Sequence, residues 1–265
     1  MKRIDVELVK RGLFETRSKA QFAIKSGVIY CNGNKIVKNN YCVEHTDILE
    51  VRSIVLPYVS KGGLKLEKAI NDFHIDLNEK KMIDIGASTG GFTDCAIQNG
   101  VGKVLAIDVG TLQFSKKLLI TGKVDLLENT DFRELKPSIL SDYDIATIDI
   151  SFISIKKIIP QLSKLSHLKE IVLLIKPQFE CGINLAKKYK GVVLNKSVHV
   201  DILNNTIKTF NNIGFGLNGL TYSPIRGGSG NIEYLSYFKK DSYNIEIDVN
   251  NVVNEGFINL IKRGV

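Results

Sequence analysis

The sequence predicts an α/β protein: an open, mostly parallel sheet with helices on both faces and an antiparallel last strand, preceded by a small α+β unit. Three observations carry this expectation. From Met82 on, short apolar runs alternate with segments long enough for helices, the rhythm of crossover connections between buried parallel strands. Near the C-terminus two apolar runs flank a glycine-rich turn, as an antiparallel hairpin at a sheet edge would. The first fifty residues instead pair two amphipathic segments with an Asn-Gly hairpin.

In MKRIDVELVKRGL, Ile4, Leu8, Val9 and Leu13 fall on one helical face, and Gly12 suits its C-cap. In ETRSKAQFAIKSG, Ala20, Phe22, Ala23 and Ile24 point inward and Gly27 closes the helix. VIYCNGNKIV then reads as a hairpin turning at Asn32-Gly33, and DILEV, 47–51, as a further strand. The segment RSIVLPYVSKGG, 52–63, holds the linker. Beyond it, strands are expected at MIDIG (82–86), KVLAIDVG (103–110), VDLLEN (124–129), YDIATIDI (143–150) and EIVLLIKP (170–177). FGLNGLTYSPI and NIEYLSYFK form the late hairpin, and VNNVVNEGFINLIKRG a closing helix. The stretch KKYKGVVLNKSVHVD, 187–201, reads as a loop over the ligand or a helix capped by Ser197.

With 265 residues and 44 % hydrophobic content, the chain can bury a large core and a small one. No apolar run approaches the ~20 residues of a membrane span, and the charged N-terminus does not read as a signal peptide. Four cysteines, Cys31, Cys42, Cys95 and Cys181, lack metal-ligand spacing. A reduced, cytoplasmic protein without metal or membrane partner is expected. The net charge of +8 is concentrated: residues 2–38 carry nine Lys or Arg against three acids. Such an excess suits a polyanion.

The N-terminal pattern R-I-D-x-x-L-V-x-R-G-L, followed by RS at 17–18 and YCNG at 30–33, resembles the RNA-binding module named after small-subunit ribosomal protein four. The resemblance implies contact with structured RNA through shape and phosphates, and makes Arg3, Arg11, Arg17, Ser18, Lys19 and Lys25 the candidate RNA-binding residues.

DIGASTGGFTD, 84–94, is a strand end, a glycine-rich turn and a helix start. Asp108 ends the next strand, where it can accept two ribose hydroxyls. Together these resemble the motifs of S-adenosylmethionine-dependent methyltransferases, and so imply a Rossmann-like fold and that cofactor. The implied cofactor-binding residues are Asp84, Gly86, Ala87, Ser88, Thr89, Gly90, Gly91, Phe92, Asp108, and Asp131 near the adenine, with Asp84 facing the amino group or ordering the loop.

Asp149 ends the fourth strand and Lys176 the fifth, so adjacent strands bring a carboxylate and an amine to one crevice. Lys65 in SKGGLKLEKA and Glu233 in SGNIEYL complete a set that resembles the K-D-K-E tetrad of FtsJ-like ribose 2′-O-methyltransferases. An RNA-binding module joined to that domain resembles the TlyA family, often labelled hemolysins. The resemblance implies methylation of ribose 2′-hydroxyls in ribosomal RNA, cytidine among the targets, with ribosomal RNA or subunits as partner. It divides the chain into an RNA-binding domain, 1–56, a linker, 57–63, and a methyltransferase domain, 64–265. Lys176 would contact the hydroxyl as base or as charged stabiliser, and Glu233 would position Lys65 or the ribose. Base methylation would favour a cysteine nucleophile or an Asn/Asp-Pro-Pro-aromatic pocket, whereas this chain has Asp149-Ile150-Ser151-Phe152. Two other readings are a catalytically silent RNA-binding factor, whose cheapest signature would be loss of a tetrad member, and a membrane-lytic protein, for which no convincing amphipathic segment is found.

Overall fold

The computed structural model describes residues 2–14, 16–25, 27–52 and 57–261, apart from the side chains of Ser18, Lys19, Phe22 and Ile261. The chain forms two compact units that divide between Leu56 and Pro57.

In the first unit, β1 (Lys2–Arg3) leads into α1 (Ile4–Lys10), followed by α2 (Arg17–Lys25), β2 (Ile29–Cys31), β3 (Asn34–Ile36), β4 (Cys42–Val43) and β5 (Leu49–Val51). Ile4, Leu8, Ala20, Ala23, Ile24 and Ile29 form its core, so the inward faces read from the helical periodicity are the buried ones, while Leu13 is exposed. Phe22 lies outside the described side chains. Asn32 and Gly33 both take positive φ, the backbone a two-residue hairpin turn requires. β2 pairs with β3 and β5, and a short β1–β4 pair adds an element too brief to leave a periodic signal.

The second unit begins with Pro57, and Tyr58 is buried on it, donating its hydroxyl proton to Glu67. Its elements are α3 (Gly62–Phe73), β6 (Lys81–Ile85), α4 (Gly91–Gln98), β7 (Lys103–Ile107), α5 (Lys116–Leu119), β8 (Val124–Leu127), β9 (Ile145–Ile148), α6 (Ile159–Leu162), β10 (Glu170–Ile175), α7 (Pro177–Glu180), α8 (Ile183–Lys188), α9 (Lys196–Asn211), β11 (Phe215–Tyr222), β12 (Tyr234–Lys240) and α10 (Val249–Ile261). The sheet order is β11-β12-β10-β9-β6-β7-β8, and β12 alone runs against its neighbours. Alternate residues of each strand feed separate cores: Ile83, Ile85, Leu173 and Ile175 one, Met82, Val104, Val172 and Leu174 the other. Each fully buried Ile or Leu is worth about 1.5–3 kcal/mol, and a one-residue slip would exchange the two sets between cores packed for different side chains, so the register is fixed.

Two details depart from the periodicity. Between β8 and β9 the chain makes only 3₁₀ turns, at Phe132–Glu134 and Pro137–Leu140, in place of a crossover helix. α9 is capped by Asn195, whose Oδ1 accepts from the Ser197 and Val198 amides, rather than by Ser197.

Candidate active site

Parallel pairing of β6, β7, β9 and β10 aligns their carboxyl ends, where open α/β sheets bind ligands. A cleft of about 520 Å³ opens there, lined among others by Gly86, Ser88, Asp108, Asp131, Asp149 and Phe152. Its floor is the turn after β6. Gly86 has φ +84°, and a Cβ there would lie 2.7 Å from the Asp149 carbonyl oxygen, so only glycine lets the two strand ends approach. Asp108 accepts from the Ser88 amide through Oδ2 and from the Gly110 amide through Oδ1, each at 2.7 Å, which fixes its carboxylate at the rim.

The other residues of the expected cofactor set divide. Asp84 does not line the cleft: fully buried, it accepts from Thr93 Oγ1 at 2.6 Å and Thr147 Oγ1 at 2.8 Å, tying β6 to α4 and β9. Burial pushes its carboxyl up to about 6, against the lowering effect of the two hydroxyls. Ala87, Thr89, Gly90, Gly91 and Phe92 shape the turn and the start of α4 without lining the cleft, and Ala87 and Phe92 are core residues. Asp131 does line it, but its carboxylate is engaged by Arg133, which holds it below the usual range.

The four tetrad candidates form two ion pairs. Lys176 Nζ lies 2.5 Å from Asp149 Oδ1, off hydrogen-bond geometry, and donates to Ser151 Oγ at 2.7 Å. Lys65 Nζ donates to Glu233 Oε2 at 2.7 Å, while Gln178 Nε2 donates to Oε1 of the same carboxylate at 3.1 Å. Both lysines are 8 % exposed and Glu233 2 %, so neither ammonium is an ordinary solvated charge. The β10–β12 register pairs Ile175 with Tyr234, which sets Glu233 opposite Lys176. Gly227 packs directly on that carboxylate: a Cβ there would meet Glu233 Oε1 at 2.3 Å.

Sequence reasoning missed several residues. Ser151 and Gln178 neighbour predicted residues in DISF and KPQF, but their partners lie across the fold. Phe152 is 88 % exposed with φ +69° and stands against Phe179, ring centroids 5.3 Å apart. An exposed aromatic in a backbone region that bulky residues avoid is a functional signal that only coordinates reveal. Glu180 latches this loop, accepting from Ser154 Oγ at 2.6 Å and the Ile155 amide at 2.8 Å.

In the first unit, Arg3 and Arg17 converge on the buried Asp5 carboxylate and keep about half of each side chain exposed. Arg11 departs from the expected RNA-facing set. Its guanidinium donates to Glu7 and to the backbone carbonyls of Glu44, His45 and Asp47, so it is spent on holding the unit together. Lys25 is exposed at the end of α2. Ser18 and Lys19 lie on α2 with side chains outside the described residues.

A mostly parallel seven-stranded sheet with one reversed strand, and a glycine turn facing an acidic strand end, define a Rossmann-like methyltransferase fold. The description FtsJ-like methyltransferase matches residues 58–240, and the chain belongs to that family, in the group of the TlyA proteins. A Bacillus subtilis protein named as a candidate rRNA methyltransferase is 45 % identical over 88 % of this chain and 84 % of its own length. A Mycobacterium tuberculosis protein named 16S/23S rRNA (cytidine-2′-O)-methyltransferase TlyA is 34 % identical over 89 % of both chains. A solved structure, described as a candidate hemolysin from Streptococcus thermophilus, is 38 % identical, covers 99 % of this chain and 98 % of its own, and superposes with a TM-score of 0.77. No helix among the described residues is long and apolar enough to cross a membrane, and no group of His, Cys, Asp or Glu among them could hold a metal ion.

Proposed function

We propose that the chain methylates a ribose 2′-hydroxyl of ribosomal RNA, with cytidine as the target nucleoside and S-adenosylmethionine as methyl donor. The observation that carries the reading is the pair of buried lysine–carboxylate contacts, one of which, Lys176–Asp149, borders the cleft through Asp149. A silent binding factor would have no need to bury two ion pairs whose desolvation is costly.

The cleft fits the cofactor. The Gly86 cradle admits a ligand where a side chain would close the site, and Asp108 at the rim retains lone pairs for ribose hydroxyls. Ser88, Asp131 and the apolar side chains of Val109, Phe132, Ile150 and Ile153 would hold the rest. When bound, S-adenosylmethionine supplies an electrophilic methyl group on a sulfonium. Transfer of that group to a 2′-hydroxyl would release the hydroxyl proton, which a group of the chain or solvent would have to take up.

Lys176, its amine held by Asp149 and Ser151, would take that proton or stabilise the developing oxygen charge. Lys65 stands second, oriented by Glu233, which Gln178 orients in turn. Fixing the positions of these groups supplies the alignment that transfer requires. Phe152, bare at the edge of the cleft, offers a ring on which an unstacked base can lie. Arg3, Arg17 and Lys25 supply sequence-independent contacts to phosphate.

Methyl transfer from labelled S-adenosylmethionine to purified ribosomal subunits tests the reading. Label recovered in a ribose-methylated cytidine is expected. Label on a base, or none despite cofactor binding, contradicts it. The hemolysin name of the Streptococcus relative predicts instead lysis of erythrocytes by the purified chain, which this reading does not expect.

A further inference from the structure

The first unit contains a second polar concavity, of about 130 Å³, between α1 and the strand that ends at Val43. It is lined by Lys2, Glu7, Lys10, Val43 and His45. Glu7 is only 4 % exposed. One of its oxygens, Oε1, accepts from Arg11 Nε at 3.0 Å; the other, Oε2, is buried and has no hydrogen-bond partner. Arg11 cannot turn to serve both oxygens, because the carbonyls of Glu44, His45 and Asp47 hold its two terminal nitrogens. The orphan acceptor is therefore built into the unit. A buried acceptor left unpaired is costly, and a missing ligand donor is one of the few explanations for keeping it.

The surroundings narrow the ligand. Lys2 and Lys10 border the concavity and suit phosphates, Val43 supplies an apolar wall, and the exposed His45 ring can lie against a flat base. We propose that this concavity is a subsite for one unpaired RNA nucleotide, whose base donates an amino hydrogen to Glu7 Oε2 while its phosphates meet Lys2 and Lys10. The proposal rests on the RNA-methyltransferase reading and adds a base preference to a unit otherwise expected to bind shape and phosphate. Cytosine, adenine and guanine carry an exocyclic amine; uracil does not, so the subsite selects against uridine.

The test uses the full chain and labelled oligo(C), oligo(A) and oligo(U) ribonucleotides at one fixed salt concentration. Wild type is expected to bind oligo(C) and oligo(A) roughly tenfold tighter than oligo(U), within the range of one base-edge contact. Glu7→Gln keeps a carbonyl for Arg11 but adds an amide that can donate to uracil oxygens, so the preference should shrink or reverse. His45→Ala leaves the backbone contact to Arg11 in place, guards against a folding defect in the first variant, and should weaken all three oligonucleotides. Equal affinities in wild type, an unchanged preference in folded Glu7→Gln, or unchanged binding by His45→Ala would each overturn the subsite. If no oligonucleotide binds wild type at all, the RNA reading of the chain falls with it.

Discussion

Lys65 and Glu233, 168 residues apart in sequence, meet as a 2.7 Å ion pair with both side chains almost wholly buried. α3 supplies the lysine from its core-facing side, and the residue immediately before β12 supplies the carboxylate. Gln178, in the short α7 that Lys176 leads into, binds the same carboxylate, so the two lysine–acid pairs are joined through one short segment of chain.

That arrangement separates stability from function. Glu233→Ala strands the Lys65 charge in the core and should lower unfolding free energy by about 3–5 kcal/mol. The double variant Lys65→Met, Glu233→Leu removes both charges at similar volume and should recover most of that loss, yet remain inactive. Denaturant titration beside methyl-transfer assays reads both outcomes.

Gly86→Ala places a Cβ against the Asp149 carbonyl in a backbone region alanine disfavours. A loss of about 1–3 kcal/mol in stability is expected from the strain. Cofactor affinity should fall with it, measured by calorimetry with S-adenosylmethionine. Gly122→Ala also sits at positive φ but has open space around it, and serves as the control.

If Phe152 stacks on a base, Phe152→Ala should weaken RNA engagement by about 1–3 kcal/mol, seen chiefly as a rise in KM for RNA. Phe152→Tyr keeps the ring and should restore it. An effect confined to kcat would contradict stacking.

His199 is buried beneath β12, with Nε2 donating to the Val193 carbonyl and Nδ1 accepting from the Tyr234 hydroxyl in the neutral tautomer. Burial holds its pKa below the ordinary 6.5. The folded chain therefore binds fewer protons than the unfolded chain below that value. The stability this group contributes is complete above about pH 6.5 and is lost as pH falls. Thermal melting from about pH 7.5 down to 5 should show a steeper decline for wild type than for His199→Gln, which carries no titrating ring.

The strands, the reversed hairpin and the glycine turn were legible because each depends on local pattern: apolar runs of strand length, and turn residues between them. Asp149 and Lys176 were legible for the same reason, as charges at the ends of such runs. Roles that depend on distant partners were not. Whether Arg11 faces RNA or its own backbone is decided by the turn at residues 44–47, and whether Asp84 faces the cleft is decided by Thr147 on a neighbouring strand. The missing crossover helix before β9 reflects a segment where Pro137 and short polar residues favour 3₁₀ turns.

The central claim is that Lys176 acts on the 2′-hydroxyl. Its most direct test is single-turnover methyl transfer to ribosomal subunits by wild type, Lys176→Ala and Lys176→Arg, with S-adenosylmethionine affinity measured on each. Transfer by Lys176→Ala should fall roughly a hundredfold or more while the cofactor still binds. Partial activity in Lys176→Arg, which stays charged, would assign the lysine to charge stabilisation, and none would favour proton removal. Transfer by Lys176→Ala at the wild-type rate would remove Lys176 from the chemistry and contradict the account.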